Sequence, residues 1–174
     1  MHHVAARTIM MILLVFQAGL VRADLTEGQV RAGFLYNVAK FVEWPASAFS
    51  TNDSPLVLCT HALRPEVDSA VHFLSGRMVG ERVIRLEREP EDTRECHILY
   101  LGKVSSSALR DKVSPEGSVL VVSDEPGTIR QGSAVEIFLV GKRLAFSVNL
   151  SACRRAKVKL GAPLLRLAHE VVQP

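Results

Sequence analysis

The sequence predicts an α/β fold in which one mixed sheet is flanked by helices. Short apolar runs typical of buried strands recur along the chain, and segments with helical spacing separate them. Strands separated by helices usually pair in parallel, whereas two alternating runs at 134–140 and 143–148 flank Gly141 and predict a late antiparallel hairpin. We therefore expect a single domain whose mixed sheet has this hairpin as an antiparallel edge.

Residues 1–23 have the features of a cleavable signal peptide. A positive segment ends at Arg7, an apolar run covers 9–16, and small residues precede a predicted cleavage after Ala23. That run is shorter than the roughly 20 apolar residues needed to span a bilayer, which makes an uncleaved anchor the weaker interpretation. We expect an exported, soluble domain over 24–174. Without Arg7 and Arg22 the formal net charge of +3 falls to +1, which does not indicate a nucleic-acid-binding protein.

The first predicted helix begins at a capping box formed by Thr26 and Gln29 and ends near Pro45. Its apolar residues repeat at helical spacing, as Val30, Phe34, Val38 and Phe41. The predicted strands that follow cover 56–60, 82–87, 96–101 and 118–122. The other predicted helices cover about 64–74, which Gly76 ends, then 105–112, and finally about 163–172, where Leu164, Leu167, Ala168 and Val171 share a face.

The three cysteines of the expected mature domain allow one internal disulfide. Cys59 continues an apolar run and Cys96 opens another, so both are expected in strands of one sheet. We predict a bond between Cys59 and Cys96, because an exported protein meets an oxidising environment. Cys153 lies among charged residues and is expected to be unpaired, and the absence of a C-x-x-C pair disfavours a thiol redox enzyme.

Motifs for catalysis or cofactor binding are missing from the sequence. Neither a glycine-rich nucleotide loop nor a serine nucleophile motif is present. His169 and Glu170 begin a zinc motif, but the position of its second histidine is Gln173. We therefore predict a protein that is not an enzyme and has no cofactor or metal.

Two weaker polar groups remain open to interpretation. Cys59 with His61, and Cys96 with His97, could meet at a metal, although a disulfide with incidental histidines is the favoured interpretation. Asp124 and Glu125 follow the strand 118–122 at its carboxyl end, where α/β folds often place ligands. The proline and glycine that come next favour a turn at this position.

One charged cluster predicts a contact surface. Four cations occur within six residues between the hairpin and the last predicted helix, and they are Arg154, Arg155, Lys157 and Lys159. Such a cluster can hold an anionic ligand or an acidic partner, and a merely solvated surface is the alternative.

The same residues resemble the YfiR family of bacterial periplasmic proteins. The run 30–45, VRAGFLYNVAKFVEWP, is similar to the family's opening helix. The similarity continues through 58–59, 96–102, 119–124, 146–150 and 164–168, and so covers nearly the whole expected mature chain.

This resemblance implies a periplasmic regulator. The resemblance implies that this chain restrains an inner-membrane diguanylate cyclase of the YfiN type, and that an outer-membrane lipoprotein of the YfiB type can sequester it. Lower cyclic di-GMP and less biofilm would be the result of repression. The resemblance also implies a homodimer and redox-sensitive disulfides, with Cys59 and Cys96 at the position of one family bridge.

The chain departs from the family pattern in two places. The segment 126–138 holds no cysteine for a second bridge, and Ser147 stands where an acidic residue is usual. A periplasmic small-molecule-binding or adaptor module of another signalling or transport system is the alternative function.

Overall fold

The computed structural model describes residues 25–105, 107, 109, 112, 117–141 and 143–173. The predicted signal peptide lies outside these residues, and its cleavage stays a prediction. The strands are β1 (Val42–Glu43), β2 (Leu56–His61), β3 (Met78–Val79), β4 (Arg82–Arg88), β5 (Ile98–Leu101), β6 (Leu120–Ser123), β7 (Val135–Val140), β8 (Arg143–Asn149), β9 (Lys159–Leu160) and β10 (Glu170–Val172). The helices are α1 (Glu27–Phe41), α2 (Pro65–His72), α3 (Leu150–Arg155) and α4 (Ala162–Leu167).

A mixed sheet of eight strands forms the centre of the described structure, in the order β10-β8-β7-β6-β5-β2-β4-β3. Within that order the neighbouring strands β4-β2-β5-β6-β7 all pair in parallel. The strands β7 and β8 form the late antiparallel hairpin. These pairings confirm the predicted mixed sheet with its hairpin. The hairpin does not form the edge, however, because β10 pairs in parallel with the outer side of β8. The strands β1 and β9 make a separate antiparallel pair.

The capping box predicted at the start of α1 is present. The Gln29 N–H donates to Thr26 Oγ1 at 3.2 Å, and the Thr26 N–H donates to Gln29 Oε1 at 2.9 Å. The buried side of α1 includes Leu35 and Ala39, whereas Phe41, at the end of the predicted apolar stripe, is 38% exposed. Beyond Phe41 the chain continues in an extended conformation as β1.

The core lies on both faces of the sheet because side chains alternate along the strands. The larger apolar cluster packs α1 against one face and contains Tyr100 and Leu120. The smaller cluster covers the other face and contains Cys59 with Cys96, together with Leu99. Among the described residues, no helix is both long enough and apolar enough to cross a membrane.

The last predicted helix, about 163–172, is wrong in its second half. Helix α4 ends at Leu167, and the strand β10 follows, paired in parallel with β8. The His169 N–H already donates to the Phe146 carbonyl at 2.8 Å, so sheet hydrogen bonds take the place of helical ones. The predicted apolar face does not form, since Leu164 is buried while Leu167 is 75% exposed.

Smaller differences concern one strand bound, one helix that is described only in part, and several short elements. Cys96 precedes β5 rather than opening it, because its N–H donates to the Thr93 carbonyl in a turn. Half of the helix predicted at 105–112 lies outside the described residues, and of the other half 107, 109 and 112 are helical. Helix α3 and the short strands β1, β3 and β9 were not expected from the sequence.

Candidate partner-binding surface

Helix α3 positions the cations that the sequence singled out. Asn149 caps this helix, because its Oδ1 accepts from the Ala152 N–H at 3.0 Å while its Nδ2 donates to the Ile129 carbonyl at 2.9 Å. The helix ends at Arg155, and Lys157 then takes a φ of 55° in the left-handed region. This turn directs the chain into β9.

Arg154 and Arg155 lie on the exposed side of α3, and alternation along the chain into β9 keeps Lys157 and Lys159 in solvent. Val158 and Leu160 are buried in the core, so the residues between and before them face outward. The exposed cations, which we call the cationic surface, are Arg154, Arg155, Lys157 and Lys159. The structure therefore places all four at the surface, whereas their role in binding stays a prediction.

The charges of the cationic surface are largely uncompensated. Within the described residues, none of the four cations forms an ion pair with a carboxylate. Arg154 Nη2 donates to Ser151 Oγ at 2.6 Å, and Lys159 lies opposite Glu43 in the β1–β9 register. Unpaired surface cations of this kind are available to a negatively charged partner.

A groove of about 260 Å³ adjoins this surface at the amino-terminal edge of the parallel strands. The residues that line it are Ser47, Ala48, Arg94, Glu95, Cys96, His97, Gly117, Ser118 and Lys157. Lys157 thus shares a groove with one end of the disulfide. Sequence spacing gave no signal for this groove, because its walls come from four separate segments of the chain.

Cys59 and Cys96, the pair named from the sequence, are joined by a disulfide, with a Cα–Cα distance of 5.7 Å. Both residues are buried. The two sulfurs are bonded to each other, so they do not meet the two histidines at a metal. Within the part of the chain that the structure describes, no cluster of three or more metal-ligating side chains occurs.

Cys153 is free and buried on the inner side of α3. Burial raises the pKa of its thiol to about 11. The thiol is therefore neutral at physiological pH and unsuited to nucleophilic chemistry.

A second group of charges lies at the opposite, carboxyl-terminal edge of the parallel strands. Asp124 follows β6, and its nearly buried carboxylate lies 3.3 Å from Arg31 Nη1 and accepts from the Tyr100 hydroxyl at 3.3 Å. Arg31 Nε also donates to Glu27 Oε1 at 2.8 Å, and Arg64 Nη2 donates to the same oxygen at 2.7 Å. We call this group, of which Arg31 and Asp124 are the buried members, the Asp124 charge cluster.

The electrostatics of the Asp124 charge cluster indicate that it stabilises the fold. Burial raises the pKa of Asp124, while the guanidinium of Arg31 opposes that shift. Hydrogen bonds from Arg64 and then Arg31 lower the pKa of Glu27. The side chains join α1 to the ends of β5 and β6, so Asp124 does more than form the turn that the sequence favoured. The sequence feature that could have identified this cluster is Arg31, which lies four residues before the apolar Leu35 and therefore on the same side of α1.

Comparisons with known proteins concern the whole described domain. A family model described as YfiR/HmsC-like matches residues 28–169. No curated protein sequence gives a significant match. A crystal structure of a conserved domain protein from Vibrio cholerae O1 biovar El Tor is similar with a TM-score of 0.51 and 6% sequence identity, over 86% of this chain and 61% of that chain. This chain therefore spans about three fifths of that protein, and the likeness concerns the fold alone.

Proposed function

Because the chain belongs to the YfiR/HmsC-like family, we propose that it represses an inner-membrane diguanylate cyclase of the YfiN type from the periplasm. Membership in this family supports a regulatory rather than a catalytic role, in cyclic di-GMP signalling. In the proposed role the chain binds the periplasmic portion of the cyclase, and repression lowers cyclic di-GMP and biofilm formation.

The cationic surface is the observation that supports a docking role most directly. Its four side chains are exposed and lack carboxylate partners among the described residues, so an acidic surface could approach them with little desolvation of existing pairs. The neighbouring groove offers a recess for a protruding side chain of the partner.

Repression requires a difference in affinity. The chain must bind the inactive arrangement of the cyclase more tightly than the active one, because equal affinities would leave the equilibrium unchanged. An outer-membrane lipoprotein of the YfiB type would then relieve repression by occupying an overlapping surface. The family resemblance adds that the chain acts as a homodimer.

Calorimetric titration of the mature chain with the isolated periplasmic portion of a YfiN-type cyclase tests this proposal. Replacing Arg154, Arg155, Lys157 and Lys159 together by alanine is expected to weaken binding by ~10-fold or more, because four attractive charges are lost. Binding of the unmodified chain is expected to weaken as salt rises, since ions screen these charges.

A matched variant separates a local effect from a change in net charge. Arg77, Lys103, Arg143 and Arg166 are also exposed, and their replacement by alanine removes the same charge elsewhere. This control is expected to keep most of the affinity. Equal weakening by both variants would contradict a specific cationic surface, and a cyclase that neither binds nor changes its output would contradict the proposed function.

A further inference from the structure

His97 connects the sheet to the segment that precedes β2. Its imidazole Nδ1 lies 3.1 Å from the Val57 backbone nitrogen, and its Nε2 lies 3.0 Å from the Ala48 carbonyl oxygen. Residue His97 is only 7% exposed. Both ring nitrogens are therefore committed to backbone partners in a site that water barely reaches.

These two contacts fix the protonation state of the ring. The Val57 N–H can only donate, so Nδ1 must accept, and the Ala48 carbonyl can only accept, so Nε2 must carry the proton. A second proton would have to bind Nδ1, where it would face the Val57 N–H. The new N–H would point at the Val57 N–H across 3.1 Å, so the cationic ring has to leave its position. When the ring leaves, the buried Val57 N–H loses its partner and the preceding segment loses its hydrogen bond at the Ala48 carbonyl.

The segment 45–55 depends on this ring for part of its attachment. Phe49 stacks on His97 with ring centroids 4.3 Å apart. Its ring also contacts the Arg82 guanidinium, 3.6 Å from the ring centroid, and the edge of Trp44. Arg82 Nη1 also donates to the Ser54 carbonyl at 2.6 Å. His97 and Arg82 thus hold the segment from two sides.

The charges around His97 disfavour its cationic form. Burial lowers the pKa of His97, the hydrogen bond to Ala48 opposes this effect, and the positive charges of Arg82 and Arg85 lower the pKa further. Glu95 lines the adjoining recesses and is the facing acidic group, while Lys157 faces His97 across the groove. The side chain of the segment that stacks on His97 is that of Phe49, which carries no charge.

We propose that His97 is a proton-sensitive latch, whose protonation releases the segment 45–55 from the sheet. The stability that the neutral ring contributes is present at neutral pH. Because the pKa is lower in the folded than in the unfolded state, where it is near 6.5, that contribution declines as the pH falls below 6.5.

The chain contains its own reporter for this event. Trp44 is the only tryptophan in the sequence, its ring centroid lies 6.2 Å from that of His97, and its Nε1–H donates to the His97 carbonyl at 3.3 Å. Lowering the pH is expected to change Trp44 fluorescence reversibly below pH 6.5, while far-UV circular dichroism stays unchanged.

Two histidine variants make the experiment specific. In His97→Gln the fluorescence change is expected to disappear, because the amide stays neutral. In His72→Gln, which alters an exposed histidine of α2, the change is expected to remain. A transition that persists in His97→Gln, or its absence in the unmodified chain above the pH of global unfolding, would overturn the latch. If His97→Gln does not fold, nitrogen NMR of the unmodified chain decides the matter. Protonation of the His97 Nδ1 together with the fluorescence change supports the latch, and a ring that stays neutral through that change overturns it.

Discussion

Arg31 shows how one buried charge ties a helix to the sheet. Its guanidinium side chain is 6% exposed and lies on the side of α1 that faces the core. A lone cation there would cost several kcal/mol, and Asp124 and Glu27 offset that cost. This residue could be recognised from the sequence as a charged residue at a core-facing position. Its partner could not, because Asp124 is almost a hundred residues away along the chain.

Asp124→Asn is expected to lower the free energy of unfolding by about 2–3 kcal/mol. The substitution leaves the buried Arg31 cation with Glu27 as its main charged partner, although the Tyr100 hydroxyl keeps an acceptor. Urea denaturation followed by circular dichroism measures the loss. Glu125→Gln, at the neighbouring position, is the matched control and is expected to change stability by less than about 0.5 kcal/mol.

A double-variant cycle with Arg31→Met assigns the loss to the pair. The effect of Asp124→Asn is expected to shrink markedly when the buried cation is absent. Additive effects of the two substitutions would show that Asp124 stabilises the chain through other contacts.

At the level of elements, the packing of α1 against α2 depends on one glycine. A Cβ atom at Gly28 would overlap the Glu66 carbonyl oxygen at the start of α2, whereas a Cβ atom at Gly33 in the same helix would meet nothing within 4 Å. A side chain is therefore excluded at Gly28 by the contact with α2, whereas Gly33 has room for one.

Gly28→Ala is expected to destabilise the chain by about 1–3 kcal/mol, because the helices must separate to admit a methyl group. Gly33→Ala is expected to stabilise it by up to ~1 kcal/mol, since alanine is the better helix former and space is free. Thermal unfolding of both variants checks this contrast. A similar loss in both would mean that the helix itself, rather than its contact with α2, is sensitive at these positions.

At the scale of the whole molecule, the disulfide secures the smaller of the two apolar clusters. Cys59 in β2 and Cys96 before β5 lie among the buried residues that fill the sheet face opposite α1. On this face the covalent link adds to the apolar packing of the described residues around it.

Replacing Cys59 and Cys96 together by alanine is expected to lower the free energy of unfolding by about 4 kcal/mol, given a sequence separation of 37 residues. The midpoint of urea unfolding should fall accordingly, and a reducing agent should lower it in the unmodified chain but not in the variant. A variant that matches the oxidised chain in stability would contradict this role for the bond.

Sequence reasoning succeeded where local chemistry decides structure. The Thr26–Gln29 capping box, the apolar strands and the hairpin around Gly141 are all set by residues close in the chain. It failed at 168–172, where the helical spacing of apolar residues was overridden by backbone pairing with β8, a contact between distant segments.

The candidate site was predictable to a similar extent. The cationic surface could be named from composition, because four cations are consecutive or nearly so. The groove beside Lys157 and the double hydrogen bond of His97 could not, since Ala48 and Val57 reach that ring only through the fold. Long-range contacts of this kind leave no periodic trace in the sequence.

The buried thiol of Cys153 makes local unfolding around α3 measurable by chemical labelling. With the other two cysteines bonded to each other, a thiol-reactive dye has a single target, and that target is shielded by α3 and the core. The rate of dye incorporation therefore counts how often α3 detaches from the sheet, without any engineered label. Part of the cationic surface lies on the same helix, so a bound partner that holds the helix in place would lower the rate of labelling.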